Sequence, residues 1–210
     1  MPLLGGLLVA PVSAQDINGR ASNSRSFEIR PLLAEKFAGM SLPVPTPARL
    51  VVCHGFGCRS HTEIGLGRAD NTRLAQLMLA GRTSPAAERK SIAQAVAWFE
   101  RRVGPEAGTT KAVARPNLKF PGGDPGQFDC VDTSTNTTAL FYVMDTLHLF
   151  YHHHLALPVS RHFLLDGAGP HITAVLTENL TGQRWAFDPW THNNGQLPDV
   201  LPVESWISQD

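Results

Sequence analysis

The chain lacks an excess of charge of either sign: 18 Lys and Arg balance 18 Asp and Glu across 210 residues. That removes the electrostatic footprint that nucleic acid or an anionic membrane would call for. Long hydrophobic runs are missing too. The apolar stretch over residues 1–14 falls short of the about 20 residues that a bilayer-spanning helix needs. No G-x-S-x-G elbow, H-E-x-x-H or C-x-x-C-H occurs. The Val51-Val52-Cys53-His54-Gly55-Phe56-Gly57 stretch therefore has the look of an α/β-hydrolase His-Gly loop without the serine that fold requires. His148, His152, His153 and His154 fall at the end of an expected helix, where imidazoles suit the dipole, and are read as structural rather than metal-ligating. Internal repeats and low-complexity tracts are absent.

Cysteine is scarce, and the count of three is odd. Cys53 and Cys58 are close enough in Cys-His-Gly-Phe-Gly-Cys to close a small ring, leaving Cys130 unpaired. Cys53–Cys130 and Cys58–Cys130 pairings remain open alternatives. Residues 1–14 end in Val-Ser-Ala, like the apolar core and cleavage site of a secretory signal, although the first positive charge is Arg20. A periplasmic or secreted protein is the expectation, with a true start upstream of Met1.

A hydrophobic content of 42% with 17% charged residues suits one globular domain with a real core. The organisation expected is a signal-like segment over 1–14, an extended lead-in over 15–48 and a single domain over 49–210. Leu50-Val51-Val52 reads as a strand. A helix follows over 71–80, closed by Gly81. Another runs from Ser84-Pro85 to about Val103, where Gly104-Pro105 ends it. A Gly- and Pro-rich loop over 104–127 leads into a buried helix over 130–151. Strands are expected at 161–166, 171–178 and 183–188, with a turn at Asn179-Leu180-Thr181-Gly182. The order, helices before an antiparallel sheet, is α+β. Asn136-Thr137-Thr138 and Asn179-Leu180-Thr181 match glycosylation sequons; the first lies within a helix and the second is a turn.

Cys130 stands at the start of that buried helix, where unpaired N–H groups and the helix dipole favour thiolate. With a four-residue turn, Glu178 faces Gln183 and Asp188 faces Thr173. His171, two residues from Thr173, then shares a face with Asp188 as its diagonal neighbour. A thiol at a helix start, followed by a histidine and a carboxylate on one hairpin face, is the order of a nucleophile, its base and the group that orients the base. Trp185 and Trp190 flank Asp188 and are candidates to shield the site.

Residues 84–190 resemble the transglutaminase-like branch of papain-fold thiol enzymes, and in look the bacterial transglutaminase-like cysteine proteinases most of all. The resemblance is carried by Asp129-Cys130-Val131-Asp132, by His171-Ile172-Thr173-Ala174-Val175, and by Gln183-Arg184-Trp185-Ala186-Phe187-Asp188-Pro189. It implies a Cys-bearing helix packed on a small antiparallel sheet, with Cys130 as nucleophile, His171 as acid and base, and Asp188 as orienter. It further implies Gln127 as a candidate oxyanion donor, and no cofactor beyond calcium, which some relatives hold through acidic residues near the cysteine (here Asp124, Asp129 and Asp132). The function expected is that of an exported cysteine peptidase or amidase acting on a protein or peptide substrate, cell-envelope material included. The alternatives are an inactive binding protein of the envelope and an amine-accepting transglutaminase.

Overall fold

A computed structural model describes residues 14–116, 124–162 and 170–209. Most of the signal-like segment and positions 163–166 of the expected strand 161–166 lie outside the described residues. In chain order the elements are α1 (Ala14–Gly39), β1 (Arg49–His54), β2 (Ser60–Gly65), α2 (Arg68–Met78), a 3₁₀ turn (Leu79–Thr83), α3 (Pro85–Ala107), α4 (Cys130–Thr146), β3 (His153–Leu155), β4 (Val159–His162), β5 (Pro170–Glu178), β6 (Arg184–Asp188), β7 (Asp199–Pro202) and α5 (Val203–Ile207). The architecture is α+β. β1 and β2 form an antiparallel ribbon, and the larger sheet runs β3-β5-β6-β7 with β4 also paired to β5.

Residues 15–48 are not an extended lead-in. Ile29, Leu33 and Phe37 recur every four residues and make one face of α1, of which Leu33 and Phe37 are buried in the main core. Arg30 fastens the helix through a 2.5 Å ion pair to the buried Asp145. Pro43, Pro45 and Pro47, which give the lead-in its extended look, come only after α1 has ended.

Three helix ends also differ from expectation. Ser84 caps α3, accepting the Ala87 N–H at 3.1 Å, with Pro85 in the first turn. The helix then continues through Gly104 and Pro105 to Gly108, a left-handed cap at φ 72° whose N–H donates to Gly104. Gly104 serves close approach instead: a Cβ there would meet Thr110 Oγ1 at 3.1 Å and Thr110 Cα at 3.2 Å. In turn, α4 stops at Thr146, because His148 adopts φ 55° and Leu149 N–H turns back to Met144. Phe150 and Tyr151 therefore leave the helix, and His148 and His152 do not share a helical face. Gly81 lies within the 3₁₀ turn that continues α2 rather than just beyond its end.

α4 packs across β5 and β1 and buries an unusual run of polar side chains, Thr133 through Thr138. Burial of polar groups is tolerable only where they are hydrogen-bonded. Asn136 meets that condition by accepting Cys53 N–H at 2.7 Å and donating to Cys53 C=O at 2.8 Å. Its amide is thus spent on β1, as that of Asn179 is spent on His154 and Tyr151. Phe141 meets Phe187 edge-on at 5.3 Å, a contact worth about 0.5–1.5 kcal/mol beyond its burial. On the far face of the hairpin, Val175 and Ala186 pack with Val203 and Trp206 of α5 as a second small core.

Replacing Asn136 by alanine strands both backbone groups of Cys53 in the core. Urea unfolding of Asn136→Ala is expected to show a loss of about 2–4 kcal/mol, and a loss below about 0.5 kcal/mol would contradict this role for the side chain.

Candidate active site

The β5–β6 hairpin has the register its spacing requires. Ala174 pairs with Phe187, Val175 with Ala186, Leu176 with Trp185 and Thr177 with Arg184. Glu178 N–H donates to Gln183 C=O at 2.8 Å, and Gly182 N–H to Glu178 C=O at 2.9 Å, closing the turn. Alternation along the strands puts His171, Thr173 and Val175 on one face. His171 Nε2 and Asp188 Oδ2 lie 2.5 Å apart, both residues buried. The hydrogen bond fixes the orientation of the imidazole ring.

Trp206 completes this arrangement. Its indole N–H donates to Asp188 Oδ2 at 2.9 Å, and its ring centroid lies 5.2 Å from that of His171. Trp190 packs on the imidazole at 4.6 Å. Buried Arg161, paired with His171 across β4 and β5, sits 4.5 Å over the Trp206 ring. Trp185 instead faces Arg89, which lies 3.7 Å over its ring, and it takes no part in the site. Sequence reasoning missed Trp206 and Arg161, since an isolated tryptophan near the end of a chain carries no spacing signal.

Trp190 is carried on the loop after β6. Glu100 Oε2 accepts Gly195 N–H at 2.7 Å, and Arg115 N–H donates to Trp190 C=O at 3.0 Å. Although Glu100 is partly exposed as a residue, its carboxyl end is enclosed beside Trp190, His192 and Asn194. Burial pushes that carboxyl up to about 8.

Cys130 opens α4. Asp129 caps the helix by accepting Asp132 N–H at 2.9 Å, and Asp132 reciprocates by accepting Asp129 N–H at 3.1 Å. Cys53 and Cys58 form a disulfide and Cys130 is the free cysteine; a disulfide is the chemistry of an oxidising compartment. Cys130 Sγ lies 3.8 Å from Pro170 C=O, and the Ile172 N–H acts on it from the other side of His171. The thiol thus abuts the strand backbone that carries the imidazole.

The thiol's electrostatics reverse the expectation from helix position alone. Burial pushes Cys130 up to about 11, with the carboxylates of Asp129 and Asp188 adding to it. Nearby N–H groups pull the other way and are outweighed. The resting thiol is neutral.

Gln127 is buried, and its Oε1 accepts Val113 N–H at 2.9 Å, which fixes the amide on the 109–116 segment. The acidic residues near Cys130 do not fit calcium. Asp132 spends both oxygens on N–H groups of Phe56, Cys58 and Asp129, Asp129 caps α4, and Asp124 Oδ1 accepts Gly126 N–H at 2.7 Å. Among the described residues, no group of three or more His, Cys, Asp or Glu side chains can hold a metal ion. Among them, too, no helix is long and apolar enough to cross a membrane.

No family model, no curated protein and no solved structure matches this chain.

A thiol held above its ordinary range is less ionised than free cysteine at any neutral pH. Iodoacetamide labelling of Cys130 in the resting protein should therefore rise about tenfold per pH unit and level off only near about 11. A plateau at or below pH 8 would contradict the neutral thiol.

Proposed function

We propose that this chain is a thiol hydrolase, a cysteine peptidase or amidase, in which Cys130, His171 and Asp188 act as nucleophile, general base and orienter. The observation that carries the reading is the buried 2.5 Å His171–Asp188 hydrogen bond, set on a strand whose backbone touches Cys130 Sγ. A papain- or transglutaminase-type core is the matching fold reading. It is supported by a Cys-bearing helix packed against the strand that bears the histidine. Export to the periplasm or beyond goes with this reading and is supported by the disulfide.

A neutral thiol calls for general-base activation rather than a standing thiolate–imidazolium pair. His171 Nδ1 takes the thiol proton as Sγ attacks the acyl carbon, and the oxyanion draws on the Cys130 N–H in the first turn of α4. The tetrahedral adduct collapses to a thioester as the C–N bond breaks, and the imidazolium returns its proton to the departing amine. Water then adds to the thioester with His171 again as base, releasing the acid and regenerating the thiol. Asp188 holds the imidazole in one tautomer throughout, and Trp206 holds Asp188.

The buried, neutral thiol supports a second reading, a binding protein that keeps the arrangement without turnover. One experiment separates the two. Incubated with an activated acyl ester, the wild-type protein should gain an acyl group on Cys130, located by mass spectrometry, and lose it on standing in water. His171→Ala should slow acylation by about 10²–10⁴-fold while Asp188→Asn slows it measurably. Acylation that is absent, or that proceeds at one rate in wild type and His171→Ala, would leave the binding protein as the reading.

A further inference from the structure

The ring closed by the disulfide has an unusual backbone. Gly55, Phe56, Gly57 and Cys58 have φ of 78°, 71°, 69° and 57°. Four successive positive-φ residues make a left-handed turn, and the N–H groups of Phe56 and Cys58 within it meet one carboxylate. Phe56 and Cys58 hold that conformation at a steric cost glycine would not bear.

A carboxylate from elsewhere in the chain takes these donors. Asp132 is fully buried, and it accepts Phe56 N–H at 2.8 Å and Cys58 N–H at 2.6 Å. The same carboxylate accepts Asp129 N–H at 3.1 Å, closing the capping box around Cys130. The neighbouring segment is tied to the ring as well. Gly55 N–H donates to Gln127 C=O at 2.9 Å, and His54 Nδ1 lies 2.7 Å from Pro125 C=O. Apart from the Asp129–Asp132 bond, these contacts tie the ring to residues 125–132, the stretch that contains Cys130.

We propose that the Cys53–Cys58 disulfide positions Cys130 through Asp132, and that its reduction by a dithiol reductant switches the reactivity of this thiol. The proposal rests on the reading of Cys130 as nucleophile. In the switching step a thiolate of the reductant attacks the ring at Cys58, which is partly exposed, while Cys53 is fully buried. The Cys53–Cys58 bond breaks and a mixed disulfide forms. The second thiol of the reductant then displaces Cys58, so the reductant leaves as a disulfide and the ring retains two thiols, two electrons and two protons having been transferred. Without the bond, Phe56 and Cys58 relax toward ordinary φ, and Asp132 is left buried with fewer donors. The first turn of α4 then opens, and the burial that keeps the thiol neutral is relieved.

The test uses the full chain, oxidised or treated with dithiothreitol and then desalted. Amide hydrogen exchange is followed in Cys130→Ser, which prevents thiol scrambling, and alkylation of Cys130 is followed in the wild type by peptide mass spectrometry. Reduction should speed exchange at Phe56, Cys58 and Asp132 by at least about tenfold while the β5–β6 hairpin stays protected. It should also speed Cys130 alkylation at pH 8 by about tenfold. Asp132→Asn in the oxidised chain should speed exchange at Phe56 and Cys58 without reduction. Unchanged exchange at those amides would overturn the proposal, as would a ring that loosens without altering Cys130 labelling. Loss of protection in the hairpin as well would make the disulfide a general staple and overturn it. If exchange and labelling respond but Cys130 never forms a thioester in either state, the coupling stands and the hydrolase reading falls.

Discussion

Two backbone hydrogen bonds close the turn between β5 and β6, Glu178 N–H to Gln183 C=O and Gly182 N–H to Glu178 C=O, and each downstream pairing follows from them. A hairpin one residue out of register would turn Asp188 to the opposite face from His171. In the register found, Asp188 serves three donors or partners at once: the imidazole, the Trp206 indole N–H and the Trp190 backbone N–H. Burying a carboxylate is costly unless such groups compensate it. The ordering of α5 and of the loop after β6 is thus tied to the same charge that orients the histidine.

A second constraint acts from the other side of the molecule. β1 and the disulfide ring hold α4 by polar contacts instead of by apolar packing alone. Asn136 grips Cys53, and Asp132 accepts the Phe56 and Cys58 N–H groups of the ring. These bonds need near-fixed geometry, unlike dispersion contacts, so they set the position of the helix start to within hydrogen-bond tolerance. Cys130 lies where the two constraints converge, with α4 behind it and the β5 backbone before it.

Much of this was legible in the order of residues. The alternation on β5 and β6 and the length of their turn were enough to place His171 beside Asp188, because strand geometry is nearly rigid. Ser84-Pro85 announced the start of α3 through cap chemistry. The short spacing favours the Cys53–Cys58 pairing found, although the sequence alone leaves the two pairings with Cys130 open. Helix ends were less legible: Gly104 and Pro105 look like a stop but sit inside α3, and His148 ends α4 without a glycine. α1 was missed because the prolines after it outweighed a four-residue apolar period. Asp132 closes the capping box from inside the first turn of α4, but its other partners, Phe56 and Cys58, lie some seventy residues earlier on a loop that no local pattern connects to it. The thiol's ionisation was read from its helix position, and burial overrode the dipole.

The proposed role of His171 depends on whether its Nε2–H donates to Asp188 in solution, as it does here, so that Nδ1 can serve Cys130 as the proposed base. The ¹⁵N spectrum of His171 in uniformly labelled protein reports this directly when wild type is compared with Cys130→Ala. A neutral imidazole protonated at Nε2, whose Nδ1 resonance shifts on loss of the thiol, is the result expected. A ring protonated at Nδ1 and bare at Nε2, or an Nδ1 resonance indifferent to Cys130, would contradict the assignment of His171 as the base for this thiol.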